Sequence, residues 1–174
     1  IARHYFSGKD NYYSVRCVKN KDSENRIQIN GVSIEVPDNW TFEEKAYKTI
    51  FLKLRAPKNS KDVFTPFVNF TKKEKKEISL ESYYTSYVES LRSNKGYSSF
   101  QLLSREEETI GTLSGVRFTF SVQFADSDIK IKSAIVLLVD DNYRYSIDYT
   151  ASPNDFEKYN NEFQQIINSL ELNL

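Results

Sequence analysis

The chain has no methionine, one histidine and one cysteine. A single thiol excludes an internal disulfide, and no Cys/His spacing of a zinc site is available. His4 lies at the terminus, whereas a Ser-His-Asp or Cys-His centre needs a positioned base, so we read it as a terminal residue and not a catalyst. Cys17 alternates with Tyr13 and Val15, as a small apolar residue on a packed strand face would. No phosphate loop, G-x-G-x-x-G or G-x-S-x-G is present. No apolar run approaches the ~18 residues of a membrane-spanning helix. The longest, Ala134 to Val139, has the length of a strand. Twenty-four basic residues balance 24 acidic ones, which argues against a dedicated nucleic-acid binder. The only asymmetry is a net +3 over residues 1–30, too weak to name a partner. The missing methionine leads us to expect that a leader or anchor segment was removed, or that the chain is a piece of a longer one.

What is present is strand and turn chemistry. Ile27 and Ile29 alternate with polar residues, as do Val32, Ile34 and Val36. Asn30-Gly31 between them is a type I′ hairpin signal, because both central positions need positive φ. A two-residue loop pairs Ile29 with Val32 and puts both apolar sets on one face. Pro37 ends the second arm, Asp38-Asn39 turn the chain, and Trp40 has a large ring to bury. Strands are expected at Ile50 to Arg55 and Val63 to Thr71, separated by a polar loop from Pro57 to Asp62, with Lys72 to Glu77 as a charged connector.

Ser79 reads as an N-cap, with Glu81 in the first turn. Leu80, Tyr83, Tyr84, Tyr87, Val88 and Leu91 form one apolar stripe, and Asn94-Lys-Gly96 stops the helix. A strand near Phe100 to Thr109 precedes the strict alternation Val116, Phe118, Phe120, Val122, Phe124. Turns at Ala125 to Asp128 and Asp140 to Asn142 make this a three-strand meander with Ile129 to Val139 and Tyr143 to Thr150. The middle strand is apolar on both faces from Ala134 to Val139, so it is expected to be central and covered on both sides. Ser152 caps a last helix with Pro153 at its first position and Asp155 completing a capping box. Its stripe is Phe156, Tyr159, Phe163, Ile166, Ile167 and Leu170. The order predicts an α+β fold: an antiparallel β-sheet of about six or more strands flanked by two main α-helices.

The hairpin Gly31-Val-Ser-Ile-Glu-Val-Pro-Asp-Asn-Trp40, the Ser79-Leu-Glu-Ser-Tyr helix, the Gly115-Val-Arg-Phe-Thr-Phe meander and the Tyr149-Thr-Ala-Ser-Pro-Asn-Asp-Phe-Glu-Lys-Tyr helix together resemble the PsbP-like family. That family includes Mog and bacterial exported proteins of the DcrB/LpqN type. The resemblance covers about residues 26–172 and implies a PsbP/Mog-like α/β/α sandwich. It also implies a generally non-enzymatic role, and no catalytic motif carries over. Residues 1–20 resemble, more weakly, the last strand of a FISUMP-type C-type-lectin-like surface domain through Tyr12-Tyr-Ser-Val-Arg-Cys-Val-Lys19. The plainer reading of that stretch is an arm of two short strands added to a sheet edge. We therefore expect an extension at 1–24 and one α+β domain at 25–174.

Few residues invite a chemical reading. Asp126/Asp128 and Asp140/Asp141 could suggest a hard cation, but they sit at opposite ends of a strand on the order of 35 Å long, and each pair is most simply turn chemistry. In Glu106-Glu-Glu108, neighbouring side chains point to opposite faces, which suits a solvated strand better than a paired-carboxylate site. Asn39-Trp-Thr41 and Asn69-Phe-Thr71 match the glycosylation triplet. Tyr83, Tyr84 and Tyr87 have two readings: packing of a helix on a sheet with hydroxyls at the rim, which we prefer, or a partner-binding face.

The expectation is a non-enzymatic binding or accessory domain of an exported bacterial cell-envelope protein, periplasmic or membrane-anchored at the outer surface. It needs no cofactor or metal. Its partner is another envelope protein, with no nucleic acid involved, and a lipid anchor on the missing N-terminus fits the same picture. Two other classes stay open: a small-molecule or lipid carrier with a cleft between sheet and helices, and an enzyme assembled from carboxylates and tyrosines.

Overall fold

The computed structural model describes residues 25–47, 49–58 and 64–172. His4, Cys17, the 1–24 extension with its lectin-like stretch, Val63 and most of the Pro57 to Asp62 loop lie outside them.

The hairpin forms as its turn dictates. β1 (Arg26–Ile29) and β2 (Val32–Glu35) pair Ile29 with Val32 and Ile27 with Ile34, across Asn30 at φ 52° and Gly31 at φ 76°. A seven-stranded antiparallel sheet follows, with β3 (Thr41–Tyr47), β4 (Ile50–Arg55), β5 (Phe67–Glu74), β6 (Tyr97–Ile110), β7 (Leu113–Phe124), β8 (Lys130–Val139) and β9 (Tyr143–Ala151). Their spatial order is β3-β4-β5-β9-β8-β7-β6. The helices are α1 (Leu80–Arg92), α2 (Pro153–Phe156) and α3 (Asn160–Asn168), and β10 (Glu171–Leu172) adds to β2 to complete a separate three-stranded sheet. The expected α+β architecture is therefore present.

The alternation in β8 divides the core into two layers. Ala134, Val136 and Leu138 face one layer, which they share with Leu52, Leu54, Val68, Phe70, Ile147, Tyr149 and the small hairpin and α3. Ile131, Ile135 and Leu137 face the other, with Val116, Phe118, Phe120 and α1. Each fully buried Leu, Ile or Phe contributes about 1.5–3 kcal/mol by leaving water, so both faces of the sheet are held mainly by these strands. Trp40 packs edge-on against Tyr159 at 6.0 Å, which docks the end of the hairpin onto the α2–α3 layer.

Three expectations are corrected. β5 starts at Phe67, not Val63, and runs on through Lys72 to Glu74, because β9 offers a continuous ladder there: Lys72 opposite Tyr145 and Glu74 opposite Tyr143. The Lys72 ammonium also sits 3.9 Å over the Tyr143 ring. Second, the last helix is two. Phe156 O would ordinarily accept the Asn160 amide hydrogen, but it accepts the Tyr149 hydroxyl instead at 2.9 Å, and Asn160 N turns to Glu157 O. Third, β3 was not anticipated: it is an edge strand carrying Glu43, Glu44 and Lys45, with a register shift between Glu44 and Tyr47 and Lys45 at φ 50°.

Candidate functional site

α1 forms where its cap and stripe place it. The Ser79 side chain accepts from Ser82 N at 3.1 Å, and Glu81 lies in the first turn. Its aromatic stripe lands on β7. Tyr84 meets Phe118 edge-on at 5.3 Å, and Tyr87 meets the same ring at 5.9 Å. Aromatic pairs of this geometry are worth about 0.5–1.5 kcal/mol beyond their area. Tyr83 and Tyr84 are buried, at 7% and 9% exposure, and Tyr87 is half-buried. The outward residues of α1 are Glu81, Ser82, Thr85, Ser86, Glu89, Ser90 and Arg92, so a partner approaching α1 would meet these before the tyrosine rings.

Beside that aromatic patch lies a polar cluster. Strand alternation puts Asn69, Thr71 and Lys73 of β5 opposite Asp148, Ser146 and Arg144 of β9, on the face that α1 covers. Tyr87 donates its hydroxyl hydrogen to Asp148 Oδ2 at 3.0 Å, and the Thr71 and Ser146 hydroxyls are 2.8 Å apart. Asp148 Oδ1, Asn69 Oδ1 and Arg144 Nε are sealed from solvent without a hydrogen-bond partner in the protein. Burial raises the Asp148 carboxyl to about 6, against the opposing pull of Tyr87, Ser146 and Lys73. Burial, and then Asp148, push the Tyr87 phenol well above its ordinary value. Burial, and then Asp148, also raise Tyr83 to about 12, and the Arg144 guanidinium lies 5.2 Å over its ring.

A carboxyl near 6 has the acidity of a general acid or base. Here one oxygen is sealed from solvent and the other accepts from the Tyr87 phenol, which burial and Asp148 itself keep protonated near neutrality. The cluster's chemistry is that of a buried, half-satisfied network.

Other residues singled out in the sequence are placed as follows. Asp140 spends both oxygens on its own turn, accepting from Asn142 N at 2.6 Å, Tyr143 N at 2.5 Å and the Tyr145 hydroxyl at 2.7 Å. Burial alone would raise its carboxyl; these three bonds and Lys72 outweigh that and hold it below the usual range. Glu108 pairs with Arg117 at 2.6 Å. Lys53 on β4, unremarked in the sequence, is buried with its ammonium 4.0 Å over Phe67. Burial, then Arg55, lower its pKa against the pull of Glu43. Among the described residues a groove of about 420 Å³ runs between the Val36–Asn39 turn and α3. Glu35, Asp38 and Glu162 line it, a polar acidic wall that does not suit a lipid.

The sheet has two edges, and they differ. β3 is short, charged, bulged and kinked at Lys45, the devices that protect an edge from pairing. β6 is 14 residues long, and Leu102 and Leu103 on it are exposed at 37% and 45%. From Tyr97 to Ser104 it carries no charge at all; Arg105-Glu-Glu-Glu108 follow. Among the described residues no strand pairs with its outer side.

No family model and no curated protein matches the chain. Its architecture nevertheless matches solved structures. LpqN, involved in cell envelope biogenesis of Mycobacterium tuberculosis, superposes with a TM-score of 0.69 at 11% identity, covering 82% of this chain and 83% of LpqN. The fold is PsbP-like, of the LpqN type. A Pseudomonas aeruginosa protein of unknown function gives a TM-score of 0.61 at 13% identity, over 84% of this chain and 94% of that one. Cyanobacterial PsbP from Synechocystis gives 0.59 at 11% identity, over 84% and 91%. The expectation drawn from the hairpin, the tyrosine helix and the meander thus holds for the LpqN-type fold. No helix among the described residues is long and apolar enough to cross a membrane.

Proposed function

We propose that this chain is a non-enzymatic accessory domain of an exported bacterial cell-envelope protein that works through protein contacts. The observation that carries the reading is the likeness to LpqN along more than four-fifths of both chains. The polar cluster supports the non-enzymatic part: among the described residues the carboxyl raised to about 6, Asp148, has one oxygen sealed and the other engaged by Tyr87. In this reading Tyr83, Tyr84 and Tyr87 belong to the partner face as its support. Their rings fix α1 to β7, and α1 presents Glu81, Thr85, Ser86 and Glu89 outward.

The test combines location and capture. Fractionation of the source cell, with protease added to intact cells and to spheroplasts, should place the protein outside the cytoplasm. In-cell cross-linking followed by affinity capture should then yield one stoichiometric envelope protein that excess free domain displaces and that a Glu81→Lys/Glu89→Lys variant fails to hold. A cytoplasmic location overturns the export part. Capture indifferent to competitor and to the α1 substitutions overturns the assignment of the face.

A further inference from the structure

We propose that Asp148 and Asn69 form a proton-operated latch beneath α1: a proton taken up by the Asp148 carboxyl is donated to Asn69 Oδ1, and with that proton in place α1 is held to the sheet. The two residues are direct partners in the β5–β9 ladder, so their side chains share one face, the face that Tyr87 of α1 reaches. Partners of this kind have Cβ atoms about 4.5–5.5 Å apart, close enough for two short side chains to meet without a water between them. Asp148 Oδ1 and Asn69 Oδ1 are both sealed from solvent, and neither has a donor in the protein. Among the described residues they are the only acceptors in that condition; the other two such atoms, Arg117 Nε and Arg144 Nε, are donors. Two facing acceptors repel. One proton turns them into a donor and an acceptor and satisfies both. Asp148 Oδ2 remains to accept from Tyr87 at 3.0 Å, so the neutral carboxyl uses both oxygens and the ionised one strands the first.

The groups around the pair leave the proton as the remedy. α1 brings Tyr83 and Tyr87, phenols that burial and Asp148 keep protonated. β9 brings Arg144, whose guanidinium lies 5.2 Å over the Tyr83 ring. β5 brings Lys73, opposite Arg144 in the ladder, and its charge favours the ionised carboxyl. Lys53 of β4 is the other ladder partner of Asn69, but its ammonium lies 4.0 Å over Phe67. β8 places Ile135 opposite Asp148. Among the described residues no cation forms an ion pair with Asp148. Burial accordingly outweighs Tyr87, Ser146 and Lys73 and raises the carboxyl to about 6.

Tyr87 carries the effect to α1. Its hydroxyl bond to β9, with its ring contacts to Phe118 of β7 at 5.9 Å and to Tyr83 at 6.1 Å, ties the middle of the helix to the sheet. Loss of the proton leaves a buried carboxylate with one oxygen unsatisfied, a costly state that water relieves by entering between α1 and the β5–β9 ladder. The helix must lift to admit it. The latch is therefore closed in the ordinary Asp range and opens as pH rises through about 6.

The experiment is a pH titration of the 174-residue chain by NMR, with the Asp and Asn side-chain carbonyl carbons labelled. In the parent, the Asn69 side-chain carbonyl is expected to titrate with the same midpoint as Asp148 while its amide protons hold their shifts. Asn69→Leu removes the acceptor and leaves no space for water. The Asp148 midpoint should then fall by about one pH unit, the equivalent of one ordinary hydrogen bond to the protonated form. Burial against leucine alone would move it upward. Amide exchange of residues Tyr83 to Val88, corrected for its intrinsic pH dependence, should be several-fold faster at pH 7 than at pH 5 in the parent. It should be equal at the two in Asp148→Asn, which is fixed in a neutral, donor-bearing form. A midpoint that stays or rises in Asn69→Leu overturns the proposal. So do Asn69 amide protons that shift above the midpoint, which would mean that the amide is turned to donate to the carboxylate. Equal α1 exchange at both pH values in the parent overturns it as well. None of these readouts depends on where the protein resides or on what α1 meets.

Discussion

Tyr87 and Asp148 lie 61 residues apart in the chain and meet at 3.0 Å, the phenol of α1 donating to a carboxylate on β9. The contact joins the two halves of the domain that the meander and the first helix build separately. Burial of the same carboxylate makes its contribution to stability depend on pH.

The Asp148 carboxyl is raised from 3.8 to about 6 in the folded protein. The folded state therefore holds a proton that the unfolded chain has lost between these values, and stability falls as pH rises through that window, then levels off. Asp148→Asn keeps the acceptor for Tyr87 and removes the desolvated charge. At pH 7 the variant is expected to be about 1–3 kcal/mol more stable than the parent, an advantage that vanishes near pH 4. Urea denaturation at half-unit pH intervals reads this directly. Identical pH slopes for the two proteins would refute it.

Tyr87→Phe leaves Asp148 with no donor from α1. The expected cost is about 1–3 kcal/mol at pH 7, the usual penalty for stranding a buried acceptor. In the Asp148→Asn background the same change should cost less, because a neutral amide is cheaper to strand. A double-mutant cycle measured by denaturant unfolding gives the coupling, and a value near zero would mean that the contact carries no energy.

Asp140 works in the opposite sense. Its hydrogen bonds hold the carboxyl low, so its contribution is present above the ordinary Asp range and is lost as pH falls through the depressed value. Asp140→Ala removes acceptors from Asn142 N, Tyr143 N and the Tyr145 hydroxyl at once. A loss on the order of 2–3 kcal/mol at pH 7 is expected. It should be accompanied by faster amide exchange at Asn142 and Tyr143; unchanged exchange there would remove the turn from the account.

Gly115 sits where β7 crosses close to β8. A Cβ there would lie 2.5 Å from Leu138 Cδ2 and 2.8 Å from the Leu137 carbonyl oxygen. Replacing a strand glycine ordinarily stabilises. Gly115→Ala is instead expected to destabilise by about 1–3 kcal/mol, because a backbone atom must move. At this size that is a fall on the order of 2–12 °C in melting temperature by calorimetry. An unchanged or raised melting temperature would contradict it.

The elements legible in the sequence are those whose signal is local. Asn30-Gly31 announces its hairpin by the backbone angles it tolerates, α1 by cap and stripe, and β7 to β9 by alternation and turns. β3 was invisible because its Glu-Glu-Lys run serves an exposed edge, where no apolar face is demanded. β10 is two residues long and exists only through its pairing with β2. The Asp148 cluster had a faint signal: Arg144, Ser146 and Asp148 alternate with Tyr145, Ile147 and Tyr149, marking a polar face on a strand beside one apolar on both sides. What no local pattern could supply was the partner, since β5 and α1 reach that face only through the strand order.

The interruption between α2 and α3 has a mechanical meaning. Tyr149 lies with Phe156 on one side at 5.0 Å between ring centroids and Phe163 on another, also at 5.0 Å. One tyrosine of the sheet thus holds both helices, through a ring on each and through its hydroxyl bond to the Phe156 carbonyl. Residues that would ordinarily strengthen a helix at 157–159 would set the Asn160 amide in competition for that carbonyl and loosen the C-terminal segment's hold on the sheet.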